Sequence, residues 1–190
     1  MRNNLIRKIE LILRHIIKPE EKESEKNILK FICIGKGADI GCGSNKVSKN
    51  CIGVDLVGKG EIGKSGCEKN KISEADFCSN GDDLFMFKNN ELDFIVARHN
   101  LEHYNNPKKT IEEWKRVLRV GGKVGVIVPD DDYVSSITLD AHLFSNKETS
   151  THKVSFNSKS LRKLFIGSGF KILSSGVATK HWSIYLIGEK

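Results

Sequence analysis

The 190-residue sequence predicts an α/β fold, in which buried strands alternate with helices. Three observations predict it. A glycine turn, Gly41–Gly43, follows a short apolar stretch, and the near-continuous apolar run Leu92–Arg98 is typical of a parallel strand buried on both faces. Pro107 then stands where the next helix would begin. The length corresponds to about one domain, which is large enough to bury a hydrophobic core.

The first part of the chain predicts a helix. Residues 4–17 carry Leu and Ile at helical spacing with Arg and Lys between them, which indicates an amphipathic helix that ends near Pro19. This helix could lie on a membrane surface or mediate a homodimer. It could instead pack on the domain as a lid over one end of the sheet, which we favour. Residues 19–27, rich in Glu and Lys, predict a solvated linker. We therefore expect a helix and linker over 1–27 and a domain over 28–190.

The glycine turn lies between two predicted strands. The first begins with the apolar run Phe31–Ile34 and ends in Asp39, and the second ends in Asp55. Gly41 and Gly43 have no Cβ, so the backbone can turn tightly and pass close to a ligand. Carboxylates at the carboxyl ends of parallel strands face the crevice in which open α/β sheets bind nucleotides. A carboxylate there can accept hydrogen bonds from a ribose diol.

Two cofactor classes compete for such a turn. The dinucleotide fingerprint G-x-G-x-x-G has an acidic residue roughly 20 positions later. Here the third glycine is absent, and Asp55 follows Gly43 by only 12 positions. Residues 46–50 leave room for a helical turn but not for a full crossover helix. The pattern therefore disfavours a nicotinamide-dependent oxidoreductase.

The remaining elements follow from periodicity and from glycine or proline stops. The helix that begins at Pro107 is expected to end at Gly121–Gly122. The other predicted elements are a short third strand Ile72–Phe77, a fifth strand Lys123–Val128, a helix Ser158–Ser168, and two closing strands, Lys171–Val177 and Trp182–Ile187. The short link between the last two strands requires an antiparallel hairpin.

Several sequence features occur in one order along the chain. They are the turn D-I-G-C-G from Asp39, Asp55, the pair Asp76-Phe77, the run L-D-F-I-V-A-R-H-N-L-E-H over residues 92–103, and R-V-L-R-V-G-G over residues 116–122. Together they resemble the class I S-adenosylmethionine-dependent methyltransferases, type 11-like group, over roughly residues 31–190. The third glycine of that family's motif is Asn45 here. The resemblance implies a Rossmann-like fold, with a seven-stranded mostly parallel sheet, an antiparallel last strand and helices on both faces.

The resemblance also implies S-adenosyl-L-methionine as cofactor and a set of residues that bind it. Those implied for cofactor binding are Asp39, Gly41, Cys42 and Gly43 around the amino-acid part, Asp55 and Leu56 at the ribose, Asp76 and Phe77 at the adenine, and Arg98, His99 and Asn100 near the methyl group.

The acceptor side has histidine and aspartate candidates. The sulfonium already makes the methyl group electrophilic, so an enzyme mainly aligns the acceptor. An oxygen acceptor usually needs a general base, and histidine is the commonest one near neutral pH. His99 and His103 are therefore catalytic candidates, although His103 could instead orient its loop or cap the next helix. The substrate-binding candidates are Asp130, Tyr133 and His142, with His152 as a further histidine that could reach the substrate and a solvated turn as the alternative for Asp130–Asp132.

The composition limits the partners and the location that the protein can have. The formal net charge of +7 permits anionic partners such as nucleic acid, but the lysines are spread along the chain. The five cysteines are odd in number and form no C-x-x-C pair, so we expect neither a complete disulfide set nor a metal site. No apolar run approaches the roughly 18 residues that span a bilayer, and no signal-peptide cleavage pattern is present. These features predict a cytoplasmic protein.

The sequence therefore predicts an S-adenosylmethionine-dependent methyltransferase that acts on a small-molecule or glycan acceptor, with oxygen as the expected acceptor atom. The Asp/Asn-Pro-Pro-aromatic tetrapeptide of amino-methylating nucleic-acid enzymes is absent from the sequence. Two alternatives remain open. The positive charge suggests an RNA or protein methyltransferase, and the N-terminal helix suggests a non-catalytic cofactor-binding protein that interacts through it.

Overall fold

The computed structural model describes residues 19–63, 69–132, 152–180 and 182–190, and it contains one seven-stranded sheet. The strands are β1 (Gly37–Ile40), β2 (Ile52–Asp55), β3 (Phe77–Cys78), β4 (Leu92–Arg98), β5 (Leu118–Pro129), β6 (Lys171–Thr179) and β7 (Ser183–Glu189). Their order across the sheet is β3-β2-β1-β4-β5-β7-β6. Strands β1 to β5 pair in parallel, and β7 runs antiparallel to both β5 and β6. The predicted mostly parallel sheet with a closing antiparallel hairpin is confirmed.

The described residues form three α-helices, two of which begin at recognisable caps. The three helices are α1 (Pro19–Lys30), α2 (Pro107–Val117) and α3 (Ser158–Gly167), with a 3₁₀ helix over Leu101–His103. The side chain of Asn106 accepts a hydrogen bond from the Lys109 N–H at 3.1 Å, and proline occupies the first turn of α2. Asn157 and Ser160 form a reciprocal capping box at the start of α3.

Hydrophobic residues are buried on both faces of the sheet. Ile95 and Ala97 of β4 belong to one core cluster, and Phe94 and Val96 belong to another, as the alternation of side chains along a strand requires. Trp114 of α2 and Phe165 of α3 belong to the first cluster, whereas Leu29 of α1 belongs to the second. Helices therefore cover both faces, as predicted.

The prediction of a solvated linker over residues 19–27 is wrong. These residues lie in α1, and Pro19 begins that helix because its fixed φ and missing N–H suit a first helical turn. Glu25 and Lys26 are buried despite their charge, because both bond to distant parts of the domain. The boundary at residue 27 falls inside α1. The helix predicted over residues 4–17 lies outside the described residues, so it and the homodimer that it suggested stay predictions.

Three element boundaries also differ from the prediction. The run Phe31–Ile34 follows α1 as a turn, so β1 is shorter than predicted, and Asp39 lies inside it rather than at its end. The third strand begins only at Phe77, after Asp76. Helix α2 ends before the glycines at 121 and 122, because Leu118 already pairs with Leu92 of β4 in the sheet. Sheet pairing, a tertiary contact, thus ends the helix before the glycine stop signal does.

No helix in the described part of the chain is both long and apolar enough to cross a membrane.

Candidate active site

The glycine loop, residues 41–47, joins β1 to the segment before β2. Gly41 has a φ of +71° and donates its N–H to the carbonyl of Val54 at 2.8 Å. A Cβ at this position would lie 2.2 Å from Nδ2 of Asn100, which follows β4. Both the backbone conformation and this close approach therefore require glycine. Gly43 also holds the loop, because its N–H donates a hydrogen bond to Oδ2 of Asp55 at 2.9 Å.

Asp39 anchors the far end of the glycine loop. Its carboxylate is buried and accepts a hydrogen bond from the Val47 N–H at 2.6 Å. Burial raises the pKa of Asp39 to about 6, although the Val47 N–H and nearby cations oppose that shift. Lys26 of α1 donates to the side chain of Asn45, so the first helix is also tied to the loop. Asp39 therefore holds the end of the glycine loop in place at Val47.

A cavity of about 370 Å³ opens at the carboxyl ends of the parallel strands. The residues that line it are Gly41, Val54–Leu56, Ser79–Asp82, Asn100, His103–Asn106 and Lys109. Most of them lie at or just after the carboxyl ends of β1, β2, β3 and β4. Lys109 instead belongs to α2. This edge is where open α/β sheets bind their ligands, and the volume lies within the range of small-molecule sites.

Asp55 lines the cavity with its carboxylate, as does Asp82 of the turn after β3. The oxygens of Asp55 accept hydrogen bonds from the N–H groups of Gly43 and, at 3.1 Å, Val57. Each carboxylate oxygen has a second lone pair, so Asp55 can still accept from a ligand hydroxyl. Beside it, the side chain of Leu56 is 70% exposed and offers an apolar surface to a ligand.

Tyr104 fixes the orientation of the amide that faces the glycine loop. Its hydroxyl donates to Oδ1 of Asn100 at 2.8 Å, which leaves the amide nitrogen of Asn100 directed toward Gly41. The same hydroxyl occupies space beside Gly81, where a Cβ would come within 2.2 Å of it. The cavity wall is therefore built from side chains that follow three different strands.

The carboxylate predicted to bind adenine has other partners. Asp76 accepts hydrogen bonds from Lys46, from the Gly53 N–H at 2.8 Å and from Lys59 at 3.5 Å. Burial acts to raise the pKa of Asp76, but these donors outweigh it and lower the pKa. Asp76 is not among the residues that line the cavity. Its neighbour Phe77 packs edge-on against Phe87, with ring centroids 6.0 Å apart.

His99 is not among the residues that line the cavity. It has a φ of +51°, and its Nε2 lies 3.1 Å from the buried carboxylate of Glu25 in α1. Glu25 also accepts hydrogen bonds from the hydroxyls of Ser183 at 2.6 Å and Thr179 at 3.1 Å. Burial acts to lower the pKa of His99, but Glu25 outweighs it and raises the pKa. Arg98, next to it, donates to the carbonyl of Asn45 at 3.4 Å.

Glu102 is surrounded by histidines. Its side chain is only 2% exposed, and within the described residues neither carboxylate oxygen has a hydrogen-bond partner. Its Oε1 lies 3.9 Å from His99 Nδ1, 3.9 Å from His103 Nε2 and 4.0 Å from His152 Nε2. Burial raises the pKa of Glu102, against the opposing effect of His99. The carbonyl of Glu102 accepts from the N–H of Lys153 at 2.8 Å, and this bond brings His152 to the cluster.

The structure thus separates the residues proposed from the sequence. Five of them line the cavity: Gly41, Asp55, Leu56, Asn100 and His103. The implied cofactor residues Asp39, Cys42, Gly43, Asp76, Phe77, Arg98 and His99 lie around it without lining it. Cys42 is buried with its Sγ 3.7 Å from the carbonyl of Gly43, and burial raises the pKa of its thiol. Their roles in cofactor binding stay predictions.

The substrate-side candidates are only partly described. Asp130 is buried at the end of β5, and its Oδ1 accepts a hydrogen bond from the Asp132 N–H at 3.3 Å. Burial raises the pKa of Asp130. Tyr133 and His142 lie outside the described residues. The substrate role proposed for all three residues stays a prediction.

Sequence reasoning missed two parts of the site. The turn Ser79–Asp82 lines the cavity, and its S-N-G-D composition after a strand is a turn signal that could have located it. The cluster around Glu102 had no such signal, because His152 is distant in the chain and is brought to Glu102 only by tertiary contacts.

The fold and the cavity define a class of protein. The strand order, the antiparallel seventh strand and the cavity beside a glycine loop are those of the class I methyltransferases, whose cofactor is the predicted S-adenosylmethionine. Residues 35–126, just under half of the chain, match the family model of a methyltransferase domain of the type 11 group. The recognition made from the ordered motifs is confirmed.

Solved structures share this fold. A methyltransferase of Methanosarcina mazei, described as dependent on S-adenosylmethionine, is 20% identical with a TM-score of 0.61, over 86% of this chain and 96% of that one. A Thermotoga maritima protein described as a possible histamine N-methyltransferase is 19% identical with a TM-score of 0.62, over 88% of each chain. The magnesium protoporphyrin IX methyltransferase of Synechocystis, solved with bound S-adenosylhomocysteine, is 13% identical with a TM-score of 0.61, over 90% of this chain and 83% of that one.

A curated relative is more similar in sequence but less informative. An uncharacterised protein of Methanocaldococcus jannaschii is 38% identical over 120 residues, which are 62% of this chain. The match spans about half of that relative, 54% of its length.

Proposed function

We propose that this protein transfers the methyl group of S-adenosylmethionine to a hydroxyl oxygen of a small-molecule or glycan acceptor. The observation that carries the proposal is Asp55, a carboxylate at the end of β2 that lines the cavity beside Gly41. When bound, the cofactor supplies an electrophilic methyl group. The protein then has to hold it and align an acceptor with it.

The cavity offers groups that suit each part of the cofactor. Asp55 has lone pairs available for the ribose hydroxyls. Leu56 provides an apolar surface for the adenine ring, and the polar turn Ser79–Asp82 provides hydrogen-bonding groups for its edge. The amide nitrogen of Asn100, which faces Gly41, provides a hydrogen-bonding group for the amino-acid part. Under this proposal Asp39 and Asp76 support the glycine loop and β2 without touching the cofactor.

The proposal puts the acceptor beside His103. This histidine lines the cavity, whereas His99 is held by Glu25, so His103 is the better placed of the two predicted histidines. In the transfer, the acceptor hydroxyl gives up its proton and its oxygen forms a bond to the methyl carbon. The carbon–sulfur bond breaks, and its electron pair stays on sulfur. A general base at or beside His103 that accepts this proton would accelerate the methyl transfer.

The neutral polar lining supports a hydroxyl-rich acceptor. Beyond the groups assigned to the cofactor, the cavity is lined by two further asparagine residues, Asn105 and Asn106. Amide groups both donate and accept hydrogen bonds, which suits the hydroxyls of a sugar or polyol.

Calorimetric titration with S-adenosylhomocysteine tests the cofactor. We expect saturable binding to the unchanged protein and none of NADH. Asp55→Ala should weaken binding by roughly 10-fold to 100-fold, because at least one ligand hydrogen bond and one loop anchor are lost. The matched control is Asp76→Ala, which removes a carboxylate at the neighbouring strand and should change affinity less than about 3-fold. Equal losses in both variants would contradict the assignment of Asp55, and no binding to the unchanged protein would contradict the proposal.

A second candidate is an RNA methyltransferase, supported by the net charge of +7 and by Lys109 at the cavity. Binding to RNA that weakens steeply with salt would favour it over the small-molecule proposal. We place it second because the amide-rich lining carries a single cation.

A further inference from the structure

We infer that Glu102, His103 and His152 form a binding site for a divalent transition-metal ion at the rim of the cavity. The nitrogen and oxygen atoms that these three side chains offer all lie within 4.8 Å of one another. Glu102 and His103 come from the 3₁₀ helix after β4, and His152 comes from the segment that precedes α3.

Glu102 provides the observation that points to a ligand. The side chain is almost fully buried, and within the described ranges neither of its oxygens accepts a hydrogen bond. Both histidine nitrogens approach Oε1 to 3.9–4.0 Å, which is too far for a hydrogen bond. A buried carboxylate is normally hydrogen-bonded, paired with a charge or bound to a metal. The space between these three atoms is where a cation would satisfy Glu102.

The donor set selects the class of ion. Two imidazole nitrogens and one carboxylate oxygen are ligands that suit Zn²⁺, Fe²⁺ and related ions. Mg²⁺ and Ca²⁺ prefer oxygen ligands alone. An ion bound at about 2.1 Å with angles near 90–109° holds its ligand atoms roughly 3.0–3.4 Å apart. Small side-chain rotations would therefore close the observed separations.

The surroundings of the cluster resemble the supporting contacts of metal sites. Ligating carboxylates are usually held by further polar groups. Here Glu25 fixes one ring nitrogen of His99, which keeps the imidazole beside Glu102 with its Nδ1 3.9 Å from Oε1, beyond hydrogen-bond distance. The backbone carbonyl of Glu102 accepts from the N–H groups of Lys153 and Val154, so the His152 segment is held against the 3₁₀ helix.

The position of His103 links the ion to the reaction, and this step rests on the proposed function. Because His103 lines the cavity, an ion that it binds would lie beside the acceptor. A bound divalent ion lowers the pKa of an oxygen ligand, so it would help the acceptor hydroxyl to lose its proton to solvent. His103 would then act as a ligand rather than as the general base.

The test is calorimetric titration of the chelator-treated full chain with Zn²⁺, and separately with Mg²⁺. We expect saturable one-site binding of Zn²⁺ and much weaker binding of Mg²⁺. Glu102→Gln, His103→Ala and His152→Ala should each weaken Zn²⁺ binding at least roughly 10-fold. His152 is partly exposed, so its substitution keeps the test valid if the buried Glu102 variant does not fold.

Two controls match the variants. Glu112→Gln removes an exposed carboxylate of α2, and His15→Ala removes a histidine from another part of the sequence. Neither should change Zn²⁺ binding. Co²⁺ in place of Zn²⁺ provides a second readout, since its absorption spectrum separates nitrogen and oxygen ligands from the thiolate of Cys33 or Cys51.

Three results would overturn the inference: no saturable Zn²⁺ binding, binding that survives all three substitutions, or a thiolate absorption band with Co²⁺. A parallel titration with S-adenosylhomocysteine separates the two proposals. Cofactor binding without Zn²⁺ binding overturns the metal site alone, whereas Zn²⁺ binding that depends on the three residues supports it even if the cofactor does not bind.

Discussion

The end of β1 and the end of β4 meet at one cavity but are built in different ways. The glycine loop after β1 is held by nearby groups, chiefly Asp39 with Val47 and Asp55 with Gly43. The segment after β4 is held by distant ones, since Glu25 of the first helix binds His99 and the chain at His152 approaches Glu102.

This difference separates two uses of charged side chains. Around the glycine loop, carboxylates mainly accept backbone N–H groups and so define a shape. After β4, a carboxylate and histidines from separate segments lie close together with few hydrogen bonds between them. Side chains arranged in this way can bind an ion or a substrate. Four substitutions test this comparison, from the largest expected effect to the smallest.

Of the four substitutions, Glu25→Ala should destabilise the protein most, because it removes the contacts that hold the segment after β4. It leaves the Ser183 hydroxyl and His99 without their buried acceptor, and we expect a loss of about 3 kcal/mol in the free energy of unfolding. Urea denaturation measures it. The control is Glu23→Ala on the same helix, an exposed carboxylate paired with Lys30, which should cause no measurable change. Equal stability of both variants would show that the buried contacts of α1 do not hold the β4 side.

Asp39→Asn should stabilise the protein in a pH-dependent way. The folded pKa of Asp39, about 6, lies above its ordinary value of 3.8, so its contribution is fully present below about pH 4 and is lost as the pH rises through 6. Asn keeps an acceptor for Val47 without this loss. Relative to the unchanged protein, the variant should gain about 2 kcal/mol between pH 4.5 and pH 7.5. Denaturation at both pH values measures the gain, and a constant difference would contradict the assignment.

Gly41→Ala should affect both stability and binding. The positive φ and the clash with Asn100 together should cost about 2 kcal/mol in unfolding free energy. Gly60→Ala is the matched control, because Gly60 has a similar φ of +79° but no atom within 4 Å of its Cβ position, and it should cost about 1 kcal/mol. Affinity for S-adenosylhomocysteine should fall in the first variant alone. A second substitution, Asn100→Ala, should recover part of the stability.

Lys46→Ala should have the smallest effect. Its side chain is mostly buried against Asp76, which is itself one-third exposed, so we expect a loss of about 1 kcal/mol or less. Affinity for S-adenosylhomocysteine should stay within about 2-fold, since neither residue lines the cavity. Lys49→Ala in the same segment is the exposed control and should change neither quantity. A large loss of cofactor affinity in Lys46→Ala would instead return Asp76 to the binding site.

Much of the fold was predictable because its signals are local. The apolar run of β4, Pro107 at the start of α2 and the closing hairpin each follow from a short stretch of sequence. Boundaries were less predictable, since Leu118 leaves the helix only because it pairs with a strand already present. The failure over residues 19–27 has the same cause: Glu25 and Lys26 look solvated until their partners at Ser183 and Asn45 are in place.

The sequence by itself determined the class of fold, the glycine loop and the position of Asp55, because backbone conformation at Gly41 and the end of a strand are properties of neighbouring residues. Only the tertiary structure decided that Asp55 and Asp82 line the cavity, whereas Asp39 and Asp76 do not. It alone placed His152 beside Glu102 and turned His99 toward Glu25. Side-chain partners that are distant in the chain depend on how the strands are ordered, and no local pattern contains that order.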